Sequence, residues 1–291
     1  MVKSNIFRYF IYTNFLIALS ALSQCTLTYL LFQIEVNYFI ILIEGCSTLL
    51  LYNFSLLLAK PKQPKLSIYP RTKWVFSHLR IFYFNSLICL LVLGFCLLHI
   101  SRLSFGFLML IGVLSMLYSL PLLKYKGKGI GLRNVPYVKL FHIALIWTLS
   151  SVMLPAIECY AQGVDIVPWK WAYLVLMKFI LLLICTLPFD IRDAKQDALY
   201  KLKTIPTYFG VNRSRRITYL LLVGHSFLVL FSPFLVGIKI GLLVFNVLIC
   251  WVLKFYVFKE NADYHNVYLL DFMLFVQLFV VFFFSWVSNA L

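Results

Sequence analysis

Carboxylates are scarce in this chain: ten Asp and Glu stand against 26 Lys and Arg in 291 residues. Charge of either sign is thin, at 12% of residues, while 63% are hydrophobic and the mean hydropathy is +0.92. No soluble domain of this size hides that much apolar surface, so the chain reads as a polytopic membrane protein. Cysteine pairs at C-x-x-C spacing are also missing. The seven cysteines are Cys25, Cys46, Cys89, Cys96, Cys159, Cys185 and Cys250, and all but Cys159 fall in apolar runs. That argues against a zinc site or a disulfide framework and for packing residues. No Ser-His-Asp, H-E-x-x-H, phosphate-loop or dinucleotide fingerprint occurs, which removes the common hydrolase and nucleotide classes. Alternating-polarity segments of a membrane barrel and inverted repeats of the transporter kind are absent too. The first apolar run is too long for a signal-peptide core and lacks a clear small-residue cleavage site, so it reads as a retained helix.

What is present is a succession of apolar segments. Nine are long enough to span, near 9–32, 37–59, 81–100, 103–120, 136–157, 170–189, 217–236, 240–258 and 268–288. Backbone polar groups in lipid must bond internally, so these are expected to be helices, and the fold an all-α, nine-helix integral membrane bundle. Basic residues cluster at one set of loop ends. Lys3, Arg8, the loops near 60–80, 121–139 and 190–216, and Lys254 with Lys259 hold 22 of the 26. Only Arg102, Lys170 and Lys239 fall on the other side, and Lys178 lies within a span. This asymmetry places the N-terminus and the three long loops in the cytoplasm and the C-terminus outside, in a bacterial inner or plasma membrane. The net charge of +16 then reflects orientation and attraction to the lipid bilayer, not a nucleic-acid partner. Without linker or low-complexity segments, residues 1–291 read as one domain.

The chemistry concentrates at 186–210, Thr-Leu-Pro-Phe-Asp-Ile-Arg-Asp-Ala-Lys-Gln-Asp-Ala-Leu-Tyr-Lys-Leu-Lys-Thr-Ile-Pro-Thr-Tyr-Phe-Gly. Asp190, Asp193 and Asp197 lie three and four residues apart at the end of an apolar run. On a helix they share an arc of roughly 60°. Like charges so placed are tolerated best with a cation among them, which makes a candidate Mg²⁺ and phosphate site. The plainer alternative is a surface loop in which they pair with Arg192, Lys195 and Lys201, at little energetic value.

Asp193-x-x-x-Asp197, followed by Lys203-Thr204 and Gly210, with Asp190 one turn earlier, resembles the second aspartate-rich motif of the UbiA-type intramembrane prenyltransferases. Tyr118-Ser119-Leu120-Pro121-Leu122-Leu123-Lys124, then Lys126 and Lys128, resembles that family's Tyr-Ser…Lys segment after the fourth helix. The nine-span layout matches as well, so the resemblance covers nearly the whole chain. It implies a transferase that moves a polyprenyl group from its diphosphate, with Mg²⁺ as cofactor, to an aromatic or lipid acceptor. Asp193 and Asp197, supported by Asp190, would hold the metal. Asn53, Tyr118, Lys124 and Lys203 would contact or orient the diphosphate. Diphosphate leaves only when its developing charge is neutralised, and a carbocation survives only in a dry, aromatic-rich cavity.

The chain departs from the family pattern at the first aspartate-rich motif. The end of the second span reads Leu51-Tyr52-Asn53-Phe54-Ser55-Leu56-Leu57-Leu58-Ala59-Lys60-Pro61-Lys62. Asn53 survives, but Phe54, Leu57 and Pro61 stand where the resemblance would place carboxylates. Glu44 is about 13 Å away along the helix and on its opposite side. Three readings follow. One metal cluster could act with Lys60, Lys62 or Lys65 neutralising the far side of the diphosphate. The protein could bind a prenyl diphosphate without turnover, or serve as a non-catalytic membrane protein that binds lipid or a partner protein. Glu44, Lys178, Asp271, His142 and His225 are the ionisable groups set within spans, either functional or pairing helices. Lys139 and Lys254 lie near enough to a helix end to snorkel.

Overall fold

A computed structural model describes residues 5–58, 60–67, 70–120, 123–125, 128–130, 135, 137–165, 167–199 and 202–290. In chain order its helices are α1 (Asn5–Tyr12), α2 (Phe15–Phe32), α3 (Tyr38–Leu58), α4 (Pro70–Ser77), α5 (Leu79–Leu97), α6 (Arg102–Ser119), α7 (Val138–Thr148), α8 (Leu154–Ala161), α9 (Pro168–Leu199), α10 (Ile205–Phe209), α11 (Val211–Leu230), α12 (Val236–Val252) and α13 (Leu269–Ala290). Among the described residues each of the nine expected apolar segments is mostly helical. Among the described residues seven helical stretches are long and apolar enough to cross a membrane. The segment expected at 103–120 is shorter, Arg102–Tyr118, and that expected at 217–236 is α11, whose first turns carry Arg213, Arg215 and Arg216.

Local chemistry explains the interruptions. Asn14 adopts a left-handed conformation (φ 63°), which Asn tolerates better than most residues. It breaks the first apolar run into α1 and α2 and turns its amide inward. A π-helical turn, Leu149–Met153, joins α7 to α8 just before Pro155, so α7 and α8 run on as one spanning stretch, Val138–Ala161. Pro188 lies inside α9 and removes one backbone hydrogen bond shortly before Asp190. Among the described residues the one sheet is a small antiparallel hairpin pairing Leu123–Tyr125 with Lys128–Ile130.

The helices pack in a closed sequence. α2 lies against α13, then α12, α11, α9 and α7 follow, and the π turn after α7 returns to α2. There Thr28 Oγ1 donates to the Ser151 carbonyl at 2.7 Å. α3 packs on the outside of α2, and α5 on α3. α5 buries only Phe82 and Cys96 and leaves Leu87, Leu90, Leu91 and Phe95 exposed, as a lipid-facing helix would.

Polar residues deep in the bundle bind its helices together. Lys178 Nζ donates to Gln24 Oε1 at 2.6 Å, and Gln24 Nε2 donates to Gln277 Oε1 and to the Leu274 carbonyl. Ser150 Oγ donates to Glu44 at 2.8 Å. His225 bonds Asn246, whose amide donates to Ser226. Among the ionisable groups set within spans, then, Glu44, Lys178 and His225 are hydrogen-bonded between helices.

Candidate functional site

α9 keeps its helical form through the aspartate stripe to Leu199, so the three carboxylates belong to a helix face and not to a surface loop. Asp190 and Asp197 are buried, and Asp193 is half-buried. They do not act as one group. Lys139, in the first turn of α7, brings its ammonium 2.7 Å from Asp190 and 3.7 Å from Asp197. Asp193 turns to Arg192, which clamps it with two hydrogen bonds of 2.8 and 2.9 Å. The Arg192 guanidinium also lies over the rings of Tyr264, Phe189 and Tyr268, at 4.1, 5.2 and 5.4 Å. Lys139 thus pairs within the site and does not snorkel to the surface.

These groups surround one end of a cavity of about 260 Å³. Arg71, Lys139 and Arg192 line it together with Asp190, Asp193 and Asp271. Its remaining wall is apolar and aromatic and includes Ile17, Tyr52, Ile143, Trp147, Leu182 and Phe189. Arg71, from α4, reaches it through a relay of hydrogen bonds. Ser86 Oγ accepts from Asn53 Nδ2 at 3.0 Å, Asn53 Oδ1 accepts from Asn14 Nδ2 at 2.8 Å, and Asn14 Oδ1 accepts from Arg71 Nη2 at 2.6 Å. Arg71 Nη1 donates to the Tyr268 hydroxyl at 2.9 Å. Beside Tyr268, the His265 backbone N–H donates to Asp263 at 2.8 Å, and this bond holds the Asp263 carboxyl below the ordinary aspartate range. It also caps the short 3₁₀ turn Tyr264–Tyr268 that leads into α13.

The residues expected from the sequence are therefore divided. Asp190 and Asp193 line the cavity, and Asp197 stands beside it through Lys139. Asn53 is buried behind the wall and orients Asn14. Tyr118 is outside the lining, stacked on His142 with ring centroids 4.9 Å apart, and near enough to Lys139 to interact electrostatically. Lys203 is exposed, and its carbonyl accepts from the Tyr137 N–H at 2.9 Å. Lys124 stands in the hairpin, but its side chain lies outside the described part of the structure, as do Lys126 and Lys201. Lys60 is exposed, with its ammonium 5.9 Å from the Phe76 ring, and Lys62 is exposed as well. From that loop, Arg71 lines the cavity.

Asn14, Arg71, Lys139, Tyr268 and Asp271 were not assigned to the site from sequence. Only the rarity of carboxylates within apolar segments pointed at Asp271. The Mg²⁺ that the resemblance implies meets a donor set already committed. Asp190 and Asp197 fit a cation between them, and the structure supplies the Lys139 ammonium there. Among the described residues no group of three or more His, Cys, Asp or Glu is arranged to hold a metal. Three cationic and three carboxylate side chains thus share the lining of a cavity whose other walls are largely apolar.

Comparison with known proteins bears on this arrangement. A family model described as the UbiA prenyltransferase family matches residues 75–279. No curated protein gives a significant match. Among solved structures, a UbiA homologue from Archaeoglobus fulgidus bound to GPP and Mg²⁺ superimposes with a TM-score of 0.59 at 16% identity, covering 94% of this chain and 98% of that one. The same homologue bound to DMAPP and Mg²⁺ gives 0.58 at 15% identity, over 94% and 98%. Bound to Cd²⁺ it gives 0.56 at 17% identity, again over 94% and 98%. At such identities the likeness is one of fold.

Proposed function

The chain belongs to the UbiA prenyltransferase family, and from that premise we propose that it is a nine-span membrane prenyltransferase. It takes a polyprenyl diphosphate into the cavity and transfers the prenyl group to an aromatic or lipid acceptor. The observation that carries this reading is the cavity itself, with Arg71, Lys139 and Arg192 at one end and apolar and aromatic residues along the rest. The diphosphate belongs at the cationic end, and the prenyl chain lies along Ile17, Ile143, Trp147 and Leu182.

The carbon–oxygen bond to the diphosphate breaks with its electron pair going to the diphosphate oxygen. Guanidinium and ammonium donors neutralise the charge that develops there. The allylic cation left behind is protected by the aromatic wall of Tyr52, Trp147 and Phe189 and by exclusion of water. A nucleophilic atom of the acceptor supplies the pair for the new bond and then loses a proton. When bound, a divalent ion would add Lewis-acid neutralisation of the diphosphate. Asp190, Asp193 and Asp197 would hold it only after parting from Lys139 and Arg192.

Thermal unfolding of the detergent-purified protein tests the reading, with geranyl diphosphate and longer homologues in Mg²⁺ buffer. A ligand at about 100 times its dissociation constant adds roughly 2.7 kcal/mol if it binds only the folded state. We expect a stabilising shift in wild type and loss of prenyl transfer in Asp193→Asn and Asp197→Asn. Arg102→Ala, at an exposed position opening α6, should be unchanged. Equal transfer in all three variants would defeat the site assignment.

The non-catalytic reading has one observation in its favour, the loss of first-motif carboxylates at Phe54, Leu57 and Pro61. Binding of prenyl diphosphate without transfer to any acceptor would support it.

A further inference from the structure

We propose that Lys139 takes the place of a metal ion in this site, so that the chain binds the diphosphate of its substrate through Lys139, Arg71 and Arg192 without a divalent cation. The proposal rests on the prenyl-diphosphate reading and concerns how that substrate is held.

Three observations converge on it. The Lys139 ammonium sits between two buried carboxylates two turns apart on α9, at 2.7 and 3.7 Å, where a bridging cation would sit. An ammonium has three donors. Asp190 engages one at 2.7 Å, and Asp197, at 3.7 Å, is an ion-pair neighbour beyond hydrogen-bond reach, which leaves donors for a phosphate oxygen. In this arrangement the aspartates are positioning residues that hold Lys139 in place.

The second observation is a pair of unsatisfied donors. Arg192 Nη1 and Arg71 Nε are buried and have no hydrogen-bond partner among the described residues. Both belong to side chains that line the cavity. Buried unpaired donors on a charged group are costly and call for an explanation, and a phosphate oxygen accepting from each supplies one.

Third, the first-motif region lacks the carboxylates that the resemblance implies, and a cation, Arg71, lines the cavity. The first-motif region carries Phe54, Leu57 and Pro61. Asn53 and Asn14, neutral amides, hold Arg71 toward the cavity at its side. A wall that presents a guanidinium binds a phosphate directly, as the bidentate geometry of arginine suits it to do. A wall of carboxylates would need metal ions in between.

The test is a binding measurement by isothermal titration and thermal unfolding, with geranyl diphosphate in excess EDTA or in Mg²⁺, on the full chain in detergent. Wild type should bind with the same dissociation constant in both buffers. Lys139→Gln should weaken binding in EDTA by about tenfold or more, the loss of one charge-assisted hydrogen bond. Lys139→Arg, which keeps the charge between the aspartates, should retain binding in EDTA. If Lys139→Gln fails to fold, the wild-type comparison and Lys139→Arg still decide the matter. Binding by wild type only in Mg²⁺ would overturn the metal-free site and leave the prenyl-diphosphate reading standing. No binding in either buffer would overturn both.

Discussion

Asn53 serves the cavity from behind its wall. Its amide accepts from Asn14 and donates to Ser86, and Asn14 in turn receives Arg71. Asn53→Ala would leave Asn14 Nδ2 and Ser86 without these bonds in a buried setting. We expect a loss of about 1–3 kcal/mol of stability, read by denaturant or thermal unfolding, together with weaker geranyl diphosphate binding as Arg71 loses its guide. Unchanged binding would show that Arg71 is positioned by Tyr268 alone. At this scale the sequence carried part of the story. A polar residue at the end of an apolar helix marks Asn53, and spacings of three and four mark the aspartates. The cation they meet could not be read. Lys139 lies 51 positions from Asp190 along the chain, and nothing local ties an α7 lysine to an α9 carboxylate. Arg71 was hidden likewise among the basic residues of its loop, where only the tertiary arrangement separates it from exposed Lys60 and Lys62.

Between elements, the closest packing is at α12 and α13. A methyl added at Gly237 would collide with the Ser288 side chain and the Phe284 carbonyl, and one at Gly241 would lie 2.8 Å from the Val281 Cα. These two glycines, four residues apart on one face, let the helix backbones approach as small residues do in membranes. Gly241→Val should force the helices apart and lower stability by about 1–3 kcal/mol, seen as a lower unfolding temperature in detergent. Gly224→Ala, where an added methyl meets nothing within 4 Å, should be neutral or gain up to about 1 kcal/mol from helix propensity. Equal behaviour of the two variants would remove the close-approach argument. Both glycines sit in a hydrophobic run, and which face they present to a neighbour was settled only by the fold. The hairpin at 123–125 and 128–130 was similarly missed, because a Gly- and Lys-rich stretch carries little of the β-branched, alternating pattern by which strands are read.

For the molecule as a whole, the charge asymmetry makes a prediction about orientation. Reporter fusions after residue 67 and within 202–204 should report the cytoplasm, and a C-terminal fusion should report the outside if nine segments span. A cytoplasmic C-terminus would mean that one of the two weaker segments, Arg102–Tyr118 or Val211–Leu230, does not cross. The nine segments were legible because lipid demands long apolar helices with internally bonded backbones, and that demand is written in composition. Their marginal members are legible for the same reason: α6 is short, and α11 opens with arginines. Lys178, Glu44 and His225 were visible as ionisable residues in apolar runs, but their role in joining helices, and that of Gln24, appeared only with the pairings.

By itself the sequence determined a helical membrane bundle, the loops in which its charges collect and the helix face that bears the aspartates. Each of these follows from composition or from spacing within one segment. Only the tertiary structure decided what the aspartates do. Asp190 and Asp197 meet Lys139, and Asn53 reaches Arg71 through Asn14, because the helix packing brings distant residues to one end of one cavity; the pairing of Asp193 with its neighbour Arg192 alone is local. In that low-dielectric setting a carboxylate is held by whichever cation the fold delivers, and here the fold delivers side chains.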